Sequence, residues 1–121
     1  MTKYKQNLGK WGENKAVNYL LNHGYIILDQ NVRTGYGEID IVASIGEVVV
    51  FIEVKTRKSM AYGPPEVSVD ERKSIKLIQS SLAYIQQHPN LDNHWRIDVI
   101  SIQKYTQGHE EITHFKNAIT V

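Results

Sequence analysis

Residues 37–55 read Gly37-Glu38-Ile39-Asp40-Ile41-Val42-Ala43-Ser44-Ile45-Gly46-Glu47-Val48-Val49-Val50-Phe51-Ile52-Glu53-Val54-Lys55. Two β-branched runs, residues 38–43 and 48–54, flank a turn signal at residues 44–47 that contains Gly46, the pattern of a β-hairpin. Charges sit where a strand wants apolar residues: Asp40 in the first run, Glu53 and Lys55 at the end of the second. Side chains two apart on a strand share a face, so Glu53 and Lys55 are neighbours. Pairing Ser44 with Glu47 puts Asp40 opposite Phe51 and Glu38 opposite Glu53. Asp40, Glu53 and Lys55 then share one face, with Asp40 diagonal to Glu53 and within reach of it.

Two readings of this trio stand side by side. One is a solvated sheet face with a surface ion pair, which contributes little to stability. Against it, residues 48–52 form an unbroken apolar run, as in a strand buried on both faces. Like charges buried together are unfavourable unless a cation or a proton joins them. The other reading is a hard-metal site. Mg²⁺ takes oxygen ligands, typically one or two carboxylates completed by waters and phosphate oxygens. A lysine beside it positions water or stabilises phosphoryl charge.

Asp40 followed by Glu53-Val54-Lys55 at the end of the next strand resembles the PD-(D/E)xK signature of the restriction-endonuclease-like superfamily. Gly12-Glu13, Gly37-Glu38-Ile39-Asp40 and Glu53-Val54-Lys55-Thr56-Arg57 together resemble one branch, the small bacterial YraN-like family, itself similar to archaeal Holliday-junction resolvases. The superfamily's proline before the aspartate is absent here, where Ile39 stands. The resemblance implies a restriction-endonuclease-like α/β fold, a central mixed β-sheet flanked by helices, and inherited chemistry only as far as the site residues match. It also implies that the helix carboxylate Glu13 joins the metal site, that Tyr62-Gly63-Pro64 belongs to a family loop, and that Lys73 occupies a family position.

With 121 residues the chain fits one domain. A composition of 41% hydrophobic and 22% charged residues is that of a soluble globular protein. The net charge of +1 gives no bulk electrostatic case for nucleic acid, so a binding groove must come from local clustering. Cysteine is absent, which excludes disulfides and thiolate-bound zinc. The polar first fourteen residues lack a signal-peptide core, and no apolar stretch approaches membrane-spanning length. The default expectation is a soluble cytoplasmic protein without membrane association.

Residues 6–23 read as a helix that stops at Gly24, with Gly9, Glu13, Ala16, Val17 and Leu20 on one stripe and Trp11 on the other side. Glu13 within an apolar stripe is either a glutamate favoured near a helix start or a site residue. Residues 25–28 form a short strand that Val32 and Arg33 extend past a break at residues 29–31. Residues 56–68 read as a loop carrying Arg57 and Lys58, either a solvated connector or a lip facing phosphate. Residues 68–88 read as a second helix with a Ser68/Glu71 capping box, a core stripe of Ile75, Ile78, Leu82 and Ile85, and a stop at Pro89. Arg72, Lys73 and Lys76 fit a solvated face. Residues 95–102 form a strand in which Asp98 reads as a structural partner of Arg96, and residues 110–115 an edge strand. The five histidines show no metal-ligand spacing. A helical crossover makes the strands at 48–55 and 95–102 parallel, giving the order α-β-β-β-α-β-β.

The reading that follows is a Mg²⁺- or Mn²⁺-dependent DNA endonuclease. Asp40 and Glu53 hold the metal, Glu13 joins them, Lys55 orients the attacking water, and Arg57, Lys58 and Lys73 meet the nucleic acid. The competing reading is a non-catalytic nucleic-acid-binding or protein-adaptor domain on the same fold. Weak net charge turns the substrate expectation towards branched or single-strand-containing DNA. One small chain offers one site, so cutting both strands requires a homodimer.

Overall fold

The computed structural model describes residues 3–59, 69–91, 94–106 and 108–120. Its elements run α1 (Lys3–Asn22), β1 (Ile26–Thr34), β2 (Gly37–Ile45), β3 (Val48–Ser59), α2 (Glu71–Gln87), β4 (Trp95–Tyr105) and β5 (Glu110–Ile119). The five strands form one mixed sheet in the order β1-β2-β3-β4-β5. β3 is its hub, antiparallel to β2 on one side and parallel to β4 on the other. Its apolar run is buried on both faces. Val50 and Ile52 join Ala16 and Leu20 of α1, whereas Val49 and Phe51 join Leu77 and Tyr84 of α2. This is the α/β order expected from the sequence, with a helix packed on each face of the sheet. Among the described residues no helix is long and apolar enough to cross a membrane.

The hairpin register differs from the expected one by two residues. Ile45 pairs with Val48 and Ile41 with Ile52, around a two-residue turn at Gly46-Glu47. Gly46 supplies the left-handed backbone there, with φ of 55°, which lets so short a turn close. A two-residue slip keeps every side chain on its own face, so Asp40 and Glu53 still share one.

Several elements outrun their expected bounds. β3 continues through Thr56, Arg57 and Lys58 to Ser59, where a loop was expected, because β4 extends beside it as far as Tyr105 and satisfies its backbone. β1 is continuous through residues 29–31; its polar residues mark an exposed edge strand, not a break. β5 likewise reaches Ile119. The cap of α2 is Asp70, whose side chain accepts from the Lys73 amide; Ser68 and the Tyr62-Gly63-Pro64 motif lie outside the described residues.

The buried face of α2 is also rotated from the expected stripe. Leu77, Ser80, Ser81 and Tyr84 face inward, Ile78 and Ile85 are half-buried, and Ile75 and Leu82 are exposed. Two buried serines are hard to read as core, but each has a partner: Ser81 donates to the Leu77 carbonyl and Ser80 accepts from Thr34. On α1, Trp11 packs against the core, with Lys15 and Lys104 ammonium groups 5.6 and 5.0 Å from its ring centroid.

α1 sits close to β3 because of Gly12. A Cβ built at Gly12 would lie 1.8 Å from Thr56 Oγ1 and 2.8 Å from Thr56 Cβ. At the far edge, buried Asp98 ties three elements together. It accepts from Arg96 Nε at 3.0 Å, as expected, and also from the Asn117 amide at 2.8 Å and His114 Nε2 at 2.7 Å. His114 Nδ1 in turn meets the Tyr19 hydroxyl of α1 at 3.1 Å. Burial pushes the Asp98 carboxyl up, but His114, the Asn117 amide and Arg96 together hold it below the ordinary carboxylate value.

Two outcomes follow for stability. Gly12→Ala is expected to destabilise by about 1–3 kcal/mol through overpacking, with part recovered by adding Thr56→Ala, as read by urea denaturation. Asp98→Ala strands three donors, Arg96 Nε, His114 Nε2 and the Asn117 amide, and is expected to destabilise by about 3 kcal/mol near neutral pH. Because the folded pKa is depressed, that contribution is present above the unfolded pKa and lost as pH falls through the folded one.

Candidate active site

The β2–β3 ladder stops at Ile41 and Ile52. Beyond it a side chain takes over from the backbone: Asp40 Oδ2 accepts the Val54 amide at 2.8 Å. A cleft of about 430 Å³ opens there, lined by Glu13 of α1, Asp40 of β2, and Glu53, Val54 and Thr56 of β3. Asp40, Glu53 and Glu13, widely spaced in sequence, thus face one space. A second cleft of about 270 Å³ is lined by Glu38, Asp70 and the α2 cations Arg72, Lys73 and Lys76.

The electrostatics of the cleft are those of crowded carboxylates. Burial, then the charge of Glu53, raise the Asp40 carboxyl to about 7 against the pull of the Val54 amide, and Glu13 and Glu38 add to the rise. Glu13 is raised by burial and by Glu38 and Glu53, while a hydrogen bond from Asn31 draws it down. Lys73 reaches in from α2, its Nζ 2.8 Å from Glu53 Oε1; that contact chiefly raises the Lys73 ammonium. Lys55 shares the strand face of Glu53. Its ammonium is lowered by burial and by the charges of Lys73 and Arg57, against Glu53 and Asp70.

By strand alternation Arg57 shares the face of Glu53 and Lys55, whereas Lys58 stands on the other face with Thr56. The cations at this end of β3 are therefore split between faces. Sequence reasoning missed two residues. Glu38 belongs to the electrostatic neighbourhood of Asp40 and Glu13. Asn31, with its amide nitrogen turned to its acceptors, meets Glu13 at 3.1 and 3.3 Å and Glu38 at 3.3 Å. A lone asparagine in the middle of an otherwise extended run was the available signal, since asparagine tolerates left-handed backbone better than most residues.

The donor set suits a hard divalent cation. A buried carboxylate, Glu53, and a half-buried one, Asp40, that repel one another, with Glu13 beside them, are stabilised by positive charge placed between them. Among the described residues no three acidic or histidine side chains already stand close enough to enclose a metal by themselves. The fit is to an ion such as Mg²⁺, which takes one or two carboxylates and completes its shell with waters and phosphate oxygens.

A pH dependence follows. The folded state holds a proton on Asp40 up to about 7, whereas the unfolded chain releases it near 4. Between those values the folded state binds more protons, so Asp40 makes stability fall as pH rises. Asp40→Asn is expected to flatten that fall and to be more stable than wild type at pH 8 by on the order of 1–3 kcal/mol, measured by denaturation from pH 5 to pH 8.

The model of a family described as "Uncharacterised protein family UPF0102" matches residues 12–102. A UPF0102 protein of Geobacter metallireducens is 42% identical over 118 residues, covering 98% of this chain and 96% of that one. One from Thermodesulfovibrio yellowstonii is 45% identical over 115 residues, covering 92% and 94%. Among solved structures, Pyrococcus furiosus SfsA in complex with Ca²⁺ aligns with a TM-score of 0.42 at 15% identity, covering 97% of this chain and 65% of that one. A likeness that remote passes nothing on about activity. The match over residues 12–102, with relatives of this identity along nearly their full length, makes the chain a member of the UPF0102 (YraN) family, a restriction-endonuclease-like family.

Proposed function

We propose that this chain is a divalent-metal-dependent phosphodiesterase that cuts DNA. The observation that carries the reading is the placement of Asp40 and Glu53 in one cleft where the β2–β3 ladder has ended. A sheet position that needed only packing has no use for two carboxylates that raise each other's charging energy. A Mg²⁺ or Mn²⁺ ion held there by Asp40 and Glu53 would supply Lewis acidity towards a phosphate oxygen and activate water.

The chain's own residues divide the remaining work. Asp40 and Glu53 provide the anionic seat, joined by Glu13 from α1. The Val54 amide fixes the orientation of the Asp40 carboxyl. Lys55, on the Glu53 face and with a lowered pKa, orients the attacking water and offsets charge developing on phosphorus. Lys73 holds Glu53 in the metal-free protein and is free to turn to phosphate once a cation occupies the site. Arg57 and Lys73 are the nearest backbone contacts for the substrate, with Lys58 reaching only a strand that wraps the other face.

So few cations neutralise few phosphates, and binding should fall with salt accordingly. A junction, flap or single strand brings several phosphates to one concave site, so branched or single-strand-containing DNA is the expected substrate, with little sequence specificity. Cutting two strands symmetrically requires a second copy about a two-fold axis. The Lys73–Glu53 ion pair favours a second reading, a binding or adaptor domain in which a lysine has taken the cation's place.

Calorimetry with Mn²⁺, alone and with short DNA, separates the two. Wild type is expected to bind, more tightly with DNA, and Asp40→Asn and Glu53→Gln to lose binding while remaining folded. Equal affinity in wild type and Asp40→Asn contradicts the assignment. Lys55→Ala is expected to keep metal binding but lose about 100-fold in turnover on junction, flap, single-stranded and duplex DNA of equal length. Binding of DNA without cleavage by wild type in Mn²⁺ supports the adaptor reading.

A further inference from the structure

Asn31 lies in the middle of β1 with φ of 51°, in the left-handed region. Such backbone is of raised energy for a residue bearing a side chain and persists where its surroundings impose it. The ladder does not demand it. Gln30 pairs with Ile41 and Val32 with Ile39, so the register is unbroken across Asn31 and no residue is inserted. The excursion instead aims the side chain. Asn31 and Asp40 stand between those two pairs; with its carboxamide assigned so that the nitrogen, not the oxygen, faces the carboxylates, Asn31 donates towards both oxygens of Glu13, at 3.1 and 3.3 Å, and towards Glu38 Oε1, at 3.3 Å.

From this geometry we infer that Asn31 is a positioning residue for Glu13, an inference that rests on reading the cleft as a cation site. A primary amide has two N–H donors and no charge. It can hold Glu13 of α1 and Glu38 of β2 together without cancelling the negative charge a cation needs. Lysine in its place would form an ion pair and compete with the cation; aspartate would add another negative charge. The contact ties the carboxylate of α1 to the edge of the sheet and so fixes where Glu13 stands relative to Asp40 and Glu53. It belongs to the class of outer contacts that orient metal ligands rather than bind metal themselves.

The test is a pair of double-mutant cycles with Asn31→Gly and Glu13→Ala. Glycine keeps the left-handed backbone and removes only the amide. In Mn²⁺ calorimetry, Asn31→Gly is expected to lower affinity about tenfold, and to lower it no further once Glu13 is alanine. In urea denaturation of the metal-free protein, Asn31→Gly is expected to lower the midpoint in the Glu13 chain and less so, or not at all, in the Glu13→Ala chain. Wild-type affinity in Asn31→Gly, or additive effects in both cycles, overturns the inference. If wild type binds no Mn²⁺, the cation reading falls, and the metal-free cycle alone decides: coupling upholds the positioning role and additivity overturns it.

Discussion

Carboxylate repulsion in a half-buried cleft is the constraint on which the rest of the structure turns. Asp40 and Glu53 come from adjacent strands, and the ladder between those strands ends one step before them. The Val54 amide and the Lys73 ammonium each satisfy one carboxylate. Asn31 satisfies a third and a fourth, Glu13 and Glu38. None of these contacts removes the crowding, and the Asp40 carboxyl stays raised to about 7. A protein that maintains such a cluster sacrifices stability at one end of its sheet, which is the usual signature of a functional site.

The sheet is built so that this sacrifice stays local. β3 is buried on both faces through its first half, and both helices pack onto that half. Gly12 lets α1 approach β3 closely enough to carry Glu13 to the cleft. Across β3 from the cleft, on β4, the buried Asp98 is fully partnered by Arg96, His114 and the Asn117 amide. The buried Asp98 and the half-buried Asp40 therefore differ in sign of effect. Asp98 is depressed and holds elements together, whereas Asp40 is raised by burial and by the charge of Glu53.

Element order, the parallel β3–β4 pairing and the shared face of Asp40 and Glu53 were legible because each depends on period and parity. A hairpin slipped by two residues keeps parity, so the face survived an error in register. The structural role of Asp98 beside Arg96 was legible for the same reason. What was not legible depends on partners distant in sequence. The extension of β3 through Arg57 and Lys58 is decided by β4, and these cations disguise a strand as a loop. The inward face of α2 is decided by Thr34 and the helix's own carbonyls, which satisfy Ser80 and Ser81. Asn31 enters the site through a backbone excursion that no period encodes.

On the proposed reading Asp40 sits in an anionic cleft built for a cation. A ¹³C NMR titration of the Asp40 carboxyl, without and with saturating Mg²⁺, tests it most directly. A midpoint near 7 is expected in the metal-free protein, with a fall of at least about two units when Mg²⁺ is present. A midpoint near the ordinary value of about 4 that Mg²⁺ leaves unchanged would contradict it.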